Sequence, residues 1–508
     1  MPGSPRRDWF KQAGLGALGV TMLRTRAEAR AAVTGKRPRN IIFMVSDGMS
    51  AGVLTLAELA SLSANRKSTE WVKLLKDASV TRGYFDQASL NSSVTDSSAA
   101  SSSWGSGSRV ANGALNTLPD GTSLTTLAEL ARQKGMRVGL VSTTAIWDAT
   151  PAGFAASVPK RSQKDLIVSQ YHNRVDVLLG GGREAFLAEK RADRADLLAA
   201  YRESGYRVGM TQAELTGVKP GDRLVGLFGE GQLPYSIDHV RDAAATKNIP
   251  TLAEMSRMAL AALANSPKGF LLQLEGARID HAAHANDAAA IIQDQLAFDA
   301  TIAVALEFAR CDRNTLVVIC TDHANSNPGL RSMGGSGGTS DECIARAVAA
   351  KASFSAMARK LDNRADYTMD ADKASDARTT GAARVSRLIE DAYGVKLPAA
   401  HANAIARAAS GEKGISLNVQ QDTLVGVLGQ VLANVTGVGF VGTSHTADYA
   451  TSTAIGPGQE RFEGLIRNTE VFAQLTQLMG TPFKNPSAEG ALQKVSAIAE
   501  AEPTVWLA

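Results

Sequence analysis

Short runs of consecutive apolar, mostly β-branched residues recur along the chain, separated by helix-like or loop-like stretches. The clearest are Asn40–Ser46 (NIIFMVS), 137–143 (RVGLVST), 175–179 (VDVLL), 269–274 (GFLLQL) and 314–321 (NTLVVICT). Unbroken rather than alternating runs predict strands buried on both faces, as in a largely parallel sheet. Between the last two, Ile292, Leu296, Ala300, Ala303 and Leu306 recur at steps of three or four and predict a helix with one inward stripe. The strand–helix–strand order implies right-handed crossovers. The fold class expected is therefore α/β, with a central, largely parallel β-sheet flanked by helices.

The pattern changes at Gly334-Gly335-Ser336-Gly337-Gly338. From there to about Gly439 the chain is Ala-rich and helical, with Val385, Leu388, Ile389 and Ala392 on one stripe and Gly394 placed to end it. This predicts a helical insertion, a lid or crown, over 334–439, within an α/β domain formed by 38–333 and 440–480.

Polar residues follow the predicted strands directly: Asp47-Gly48, Glu275-Gly276 and Asp322-His323. Open α/β sheets bind ligands at the carboxyl ends of their strands. Asp280 and His284, four apart, share one face of a helical turn and suit a divalent ion. A lone His is usually a hydrogen-bonded structural residue, and an Asp after a strand is often only a helix N-cap. Their joint arrival at one sheet edge is what points to a multi-metal site with nitrogen and oxygen ligands, which zinc with magnesium fits. The serine-rich run 95–104 (TDSSAASSSW) has the composition of a loop. Because Ala99-Ala100 follow, it also has the form of a helix start, where dipole and free amides stabilise an anion. A serine there, beside a metal ion, can act as nucleophile.

The 508 residues are 44% apolar and 20% charged, a folded composition with room for two to four domains at roughly 150 residues each. Residues 1–31 hold six basic and two acidic side chains, which accounts for the whole net charge of +4. The remainder is formally neutral and offers no global field for nucleic acid or anionic lipid. Arg6-Arg7, the modest apolar stretch 13–23 and the small-residue sites near Ala29 resemble a twin-arginine export signal, with Pro5 and Trp9-Phe10 departing from the usual pattern. That implies use of the twin-arginine export machinery and a periplasmic or secreted protein without a membrane span. Cys320 reads as a buried thiol, and a Cys311–Cys343 disulfide is open after export.

Seven segments in order resemble the alkaline phosphatase family: 41–50 (IIFMVSDGMS), 95–104, 138–151 (VGLVSTTAIWDATP), 176–183 (DVLLGGGR), 272–284 (LQLEGARIDHAAH), 315–323 (TLVVICTDH) and 443–449 (TSHTADY). The resemblance implies hydrolysis of small-molecule phosphate monoesters through a phosphoserine at a site of two zinc ions and one magnesium ion. It implies Asp47, Asp322 and His323 as ligands of one zinc and Asp280, His284 and His445 as ligands of the other. Thr150 and Glu275, with Asp47, fall at the magnesium ligands. Ser97 falls at the nucleophile, with Ser98 where Ala is usual, and Arg161 falls at the phosphate clamp. Asp148 and His281 are substrate-side residues whose combination leaves the third site open to zinc or cobalt as well as magnesium. Monomer and homodimer both remain open.

A phosphodiesterase on the same metal frame generally has Thr at the nucleophile and lacks the arginine clamp, whereas here Ser97 is paired with Arg161. A sulfatase needs a Cys/Ser-x-Pro-x-Arg frame, which Ser97-Ser-Ala-Ala-Ser lacks. A non-catalytic metal or phosphate binder would not need nucleophile, clamp and ligands together.

Overall fold

The computed structural model describes residues 35–332, 338–361 and 374–488, with side chains from Gly381 onward in the last block. The predicted export signal and residues 334–337 of the glycine-rich stretch lie outside the described residues. The strands are β1 (Asn40–Ser46), β2 (Thr81–Asp86), β3 (Arg137–Ala145), β4 (Val177–Gly181), β5 (Arg207–Gly209), β6 (Leu224–Leu227) and β7 (Phe270–Gly276). They continue with β8 (Thr315–Cys320), β9 (Ala324–Asn325), β10 (Gly329–Leu330), β11 (Val438–Gly439), β12 (His445–Thr446), β13 (Ala450–Ile455) and β14 (Gly464–Arg467).

Ten of them form one sheet in the order β14-β2-β13-β8-β1-β7-β3-β4-β6-β5. From β8 to β5 every neighbour is parallel, and β13 is antiparallel to both β8 and β2. The sheet is mixed and mostly parallel, as the runs imply.

β1 shows why the runs are unbroken. Alternation sends Ile42 and Met44 into one buried cluster and Ile41, Phe43 and Val45 into the other, so both faces are covered. Phe43 then packs in tilted contact against Trp104 and Phe154, with ring centroids 5.3 and 5.4 Å away. Those rings belong to the helices Ser97–Ser106 and Ala149–Ala155, which are thereby fixed against the sheet. Truncating Phe43 to Ala costs about 3–5 kcal/mol and loosens both helices.

Some expectations shift. The third run pairs as Val177–Gly181, two residues later than expected, and β3 extends to Ala145. β2, β5, β6, β13 and β14 carry no long apolar run; β2 alternates between buried and exposed positions instead. The helix Ala288–Asp312 forms, but Ala300 is exposed and the inward face runs through Ile291, Gln295, Phe298, Ile302 and Ala305. The stripe moves because polar groups are buried with partners: Ser46 Oγ donates to Gln295 Oε1 at 2.7 Å and Ser236 Oγ to Asp294 Oδ1 at 2.9 Å. This helix is apolar and long enough to cross a membrane, but two thirds of its most apolar window is buried inside the protein.

Between 338 and 439 lie the helices Ser340–Ala349, Phe354–Leu361, Ala374–Tyr393, Ala399–Ala409 and Leu424–Thr436. Val385, Ile389, Leu428 and Leu432 belong to the same buried cluster as Ile42 and Leu272 of the sheet. Gly394, at φ 68°, follows the stripe as expected, its N–H donating to Glu390 O. Cys320 is buried, whereas the structure forms no Cys311–Cys343 disulfide: Cys311 is exposed and Cys343 is buried against Gly437.

Candidate active site

Four adjacent strands bring the predicted ligands together. Val45 of β1 stands opposite Glu275 of β7 and Cys320 of β8, and Ser142 of β3 stands opposite Glu275. Asp47, Glu275, Asp322 and His323 therefore leave the sheet side by side at its carboxyl edge. The helix Arg278–His284 follows β7 at once and carries Asp280 and His284. His445 arrives from far along the chain by a two-residue ribbon in which β12 pairs with β9, His445 opposite Asn325. Its ring stacks on His323 with centroids 3.6 Å apart.

Two tight groups result: Asp47, Asp322 and His323, and Asp280, His323 and His445, with ligand atoms in each within 4.8 Å of one another. His323 is common to both. His284, expected with Asp280 and His445, flanks the second group, its Nε2 3.3 Å from Asp280 Oδ2 and 3.1 Å from His445 Nε2. Gly48 permits this convergence. It sits at φ 70°, a Cβ there would stand 2.5 Å from Asp280 Oδ1, and its N–H donates to Asp322 Oδ1 at 3.0 Å.

The donor set fits divalent cations. His284 Nδ1 is 2.7 Å from Thr443 O and His445 Nδ1 is 2.8 Å from Thr95 O. A carbonyl only accepts, so each Nδ1 carries a proton, and whenever a ring is neutral its Nε2 lone pair is the one turned inward. The two Nε2 atoms are 3.1 Å apart. Against burial, Asp280 raises His284 to about 9, so without a cation a proton sits between the rings, and a bound cation would take its place. Asp47 Oδ1 and Asp322 Oδ2 are likewise buried without a hydrogen-bond donor.

The electrostatics agree. Burial, then Asp322, Asp280 and Glu275, push the Asp47 carboxyl well up. Burial drives Glu275 up to about 8 against the hydrogen bond from Ser142. Burial also opposes the charged form of Asp280, but His284, His445 and His323 outweigh it and hold that carboxyl well below its ordinary range. Burial and the neighbouring His323 bring His445 down to about 4. Like charges crowd a dry site that bound cations would neutralise.

The serine run is a helix, not a loop. All ten residues of Ser97–Ser106 are buried, and Ser102, Ser103 and Ser106 donate to the carbonyls four residues back. Small side chains let it approach the helix Ala149–Ala155, where a Cβ on Gly105 would fall 1.9 Å from Gly153 O. Asp96 caps it, accepting from Ala99 N at 2.9 Å. Ser97 opens the helix with Oγ 3.2 Å from His323 Nε2. Ser98 Oγ instead donates to the Asp96 carboxylate at 2.7–2.8 Å and accepts from Gly113 N at 3.1 Å.

Arg161 lies between two carboxylates, 2.8 Å from Asp148 Oδ1 and 3.3 Å from Asp96 Oδ2. Its own N–H donates to Gly113 O, so the Gly113 loop holds both its backbone and, through Asp96, its guanidinium. Burial raises the Asp148 carboxyl, but Arg161 and His281 prevail and hold it below its ordinary value. Thr150, two residues after Asp148, is buried with its Oγ1 lacking a hydrogen-bond partner. His281 is tied to Arg278, whose Nη1 is 2.6 Å from His281 Nδ1.

Sequence reasoning missed three supports. Asn325 Nδ2 donates to Asp280 Oδ1 at 2.6 Å, Ser142 Oγ donates to Glu275 Oε2 at 2.5 Å, and Asp96 holds Arg161. Asn325 stands two residues after His323 and Asp96 just before Ser97, so their position was the available signal.

Comparison with known proteins agrees with this geometry. The family model described as alkaline phosphatase matches residues 38–481. Alkaline phosphatase 4 of Bacillus subtilis is 28% identical over 443 residues, covering 85% of this chain and 87% of its own. The repressible alkaline phosphatase of Saccharomyces cerevisiae is 33% identical over 317 residues, covering 56% and 55%. The crystal structure of Thermus thermophilus alkaline phosphatase superposes with a TM-score of 0.81 at 31% identity, covering 91% of this chain and 96% of that one. The chain belongs to the alkaline phosphatase family, and it is a phosphatase enzyme of a family that works with metal ions.

Proposed function

We propose that the protein hydrolyses phosphate monoesters to an alcohol and inorganic phosphate, with Ser97 carrying the phosphoryl group between two half-reactions. The observation behind this reading is the placement of Ser97 Oγ at the start of a buried helix, 3.2 Å from His323 Nε2, beside a capping Asp96 that also holds Arg161. The helix dipole and free amides favour negative charge on Ser97 Oγ. Arg161, braced by Asp96 and Asp148, presents a fixed planar fork to two non-bridging oxygens of a dianionic monoester.

Asp47, Asp322 and His323 would hold one zinc, Asp280, His284 and His445 the other, and Asp47, Thr150 and Glu275 a magnesium. Bound there, these ions supply Lewis-acid stabilisation of the attacking and leaving oxygens. Ser97 Oγ gives up its proton to solvent and attacks phosphorus in line, the P–O bond to the alcohol breaks, and the departing alkoxide takes up a proton, leaving phosphoserine. Water then loses a proton and attacks the same phosphorus from the vacated side, the P–Oγ bond breaks, and Ser97 Oγ leaves and regains its proton. Two displacements retain configuration at phosphorus. The reading also takes residues 1–31 as the export signal and the periplasm or cell exterior as the site of action, supported by Arg6-Arg7 ahead of the apolar stretch.

Acid quench during turnover of an aryl phosphate, followed by peptide mass spectrometry, tests the intermediate. Phosphate is expected on the peptide carrying Ser97 and absent from the Ser97→Ala protein. Turnover with phosphate on another residue, or on none, contradicts the proposal.

A further inference from the structure

The parallel strands that carry the candidate active site at their carboxyl ends begin at the opposite edge of the sheet. The seven strand starts from β8 to β5 are strongly basic there, whereas the β13, β2 and β14 end of that edge carries Lys76 and Arg461 against Asp77, Glu460 and Glu463. Counting the first residue of each strand from β8 to β5 and the five before it, the seven segments hold fourteen Lys or Arg against four Asp or Glu. Each segment contributes at least one basic residue, and those before β1, β7 and β3 contain no acidic one. Backbone hydrogen bonds join them into one face: Arg39 N donates to Asn314 O, Arg137 N to Gly269 O, and Arg207 N to Arg223 O. Because the chain beyond residue 31 is neutral overall, this excess of ten is a local asymmetry rather than a general property.

Structural roles explain part of it. Arg132, Arg202 and Arg310 lie in the last turns of helices, and Arg132, Arg137 and Arg223 surround Asp176. A helix end carries only about half a negative charge, so three of them cannot offset an excess of ten. Lys36, Arg37, Lys134, Lys219 and Lys268 are all exposed, and neither Lys219 nor Lys268 follows an α-helix end within four residues.

We propose that this edge is a docking face for an anionic phospholipid bilayer. With strands about 4.8 Å apart, seven strand starts spread the charge over roughly 29 Å, the footprint of a flat partner. The aromatic residues in these segments, Tyr206 and Phe270, are buried, so the face lacks the stacking platforms that single-stranded nucleic acid uses. Basic residues at a membrane surface act additively against anionic headgroups and are screened by salt. Docking this way turns the candidate active site away from the lipid and toward incoming soluble substrate.

The test is co-sedimentation of the protein with vesicles of phosphatidylcholine alone or mixed with phosphatidylglycerol. The variant combines Arg37→Glu, Lys134→Glu, Lys219→Glu and Lys268→Glu, and a second carries Gln at the same four positions, all with the same N-terminus. Wild type is expected on the phosphatidylglycerol vesicles at low salt and to be released as salt rises. The Glu variant should bind at least roughly tenfold more weakly and the Gln variant in between, with hydrolysis of a soluble aryl phosphate and thermal unfolding unchanged in the Gln variant. Equal binding to both vesicle types, no binding at low salt, undiminished binding by both variants, or tighter binding to duplex DNA at the same salt would overturn the proposal.

Discussion

Ser97 Oγ and His323 Nε2 lie 3.2 Å apart although 226 residues separate them in the chain. No local element fixes that distance. His323 is placed by β8, which pairs with β1, and Ser97 by a helix whose Trp104 packs on Phe43 of the same β1. One central strand therefore sets the spacing between nucleophile and ligand, and core packing becomes part of the chemistry.

The adjacent serines separate cleanly. Ser97→Ala should lower kcat by roughly a thousandfold or more, because the attacking oxygen is removed. Ser98→Ala removes the hydrogen bonds that Ser98 Oγ gives to Asp96 and takes from Gly113 N, but Asp96 is still held by Ala99 N and Gly113 N, so kcat/KM should change by less than about tenfold. Steady-state kinetics on both proteins checks this; the reverse ranking would move the nucleophile to Ser98.

Arg161→Lys should weaken inhibition by inorganic phosphate by about tenfold or more. Lysine keeps the charge but loses the planar fork that lies between Asp148 and Asp96. Competition assays measure the effect, and an unchanged inhibition constant would exclude Arg161 as the clamp.

Gly48→Ala is a metal-site variant in disguise. Its Cβ would press on Asp280 Oδ1 from 2.5 Å, and alanine is strained at φ 70°. Elemental analysis after dialysis should find less bound metal than in wild type, together with a lower Tm for the metal-loaded protein. Full metal content would show that Asp280 moves aside freely.

Legibility in the sequence followed burial. β1 and β8 are buried on both faces and so stand out as apolar runs, and Asp47 and Asp322-His323 could be read from their ends. β13 and β2 were invisible because Ala450–Ile455 and Thr81–Asp86 mix polar and apolar residues. The serine helix was ambiguous because composition marks exposed loops and buried small-residue helices alike. Its hydroxyls find carbonyls four residues back only once the helix exists. His445 lies 122 positions after His323 on a two-residue strand, so spacing could not reach it and only the family resemblance did. Ala300 misled because alanine fits either face of a helix, whereas Gln295 is buried through its partner Ser46.

Asp294 provides a pH test remote from the ligands. Burial raises its carboxyl to about 7, against the opposing pull of Arg278 and Ser236. A raised folded-state value means that the stabilising proton is fully present below the ordinary value near 3.8 and is lost as pH rises through about 7. Asp294→Asn, which resembles the protonated acid, should therefore stabilise by about 1–3 kcal/mol at pH 8.5 and by less at pH 5, inside the window where the loss has begun. Thermal unfolding at the two pH values decides it; an equal effect at both would mean Asp294 is ionised throughout.

The most direct measurement is hydrolysis of an aryl phosphate monoester against the matching diester, before and after chelation and after adding back zinc with magnesium. The account predicts strong monoester preference at alkaline pH, lost on chelation and restored by the two metals together. Preference for the diester, or turnover that survives complete removal of metal, would contradict it.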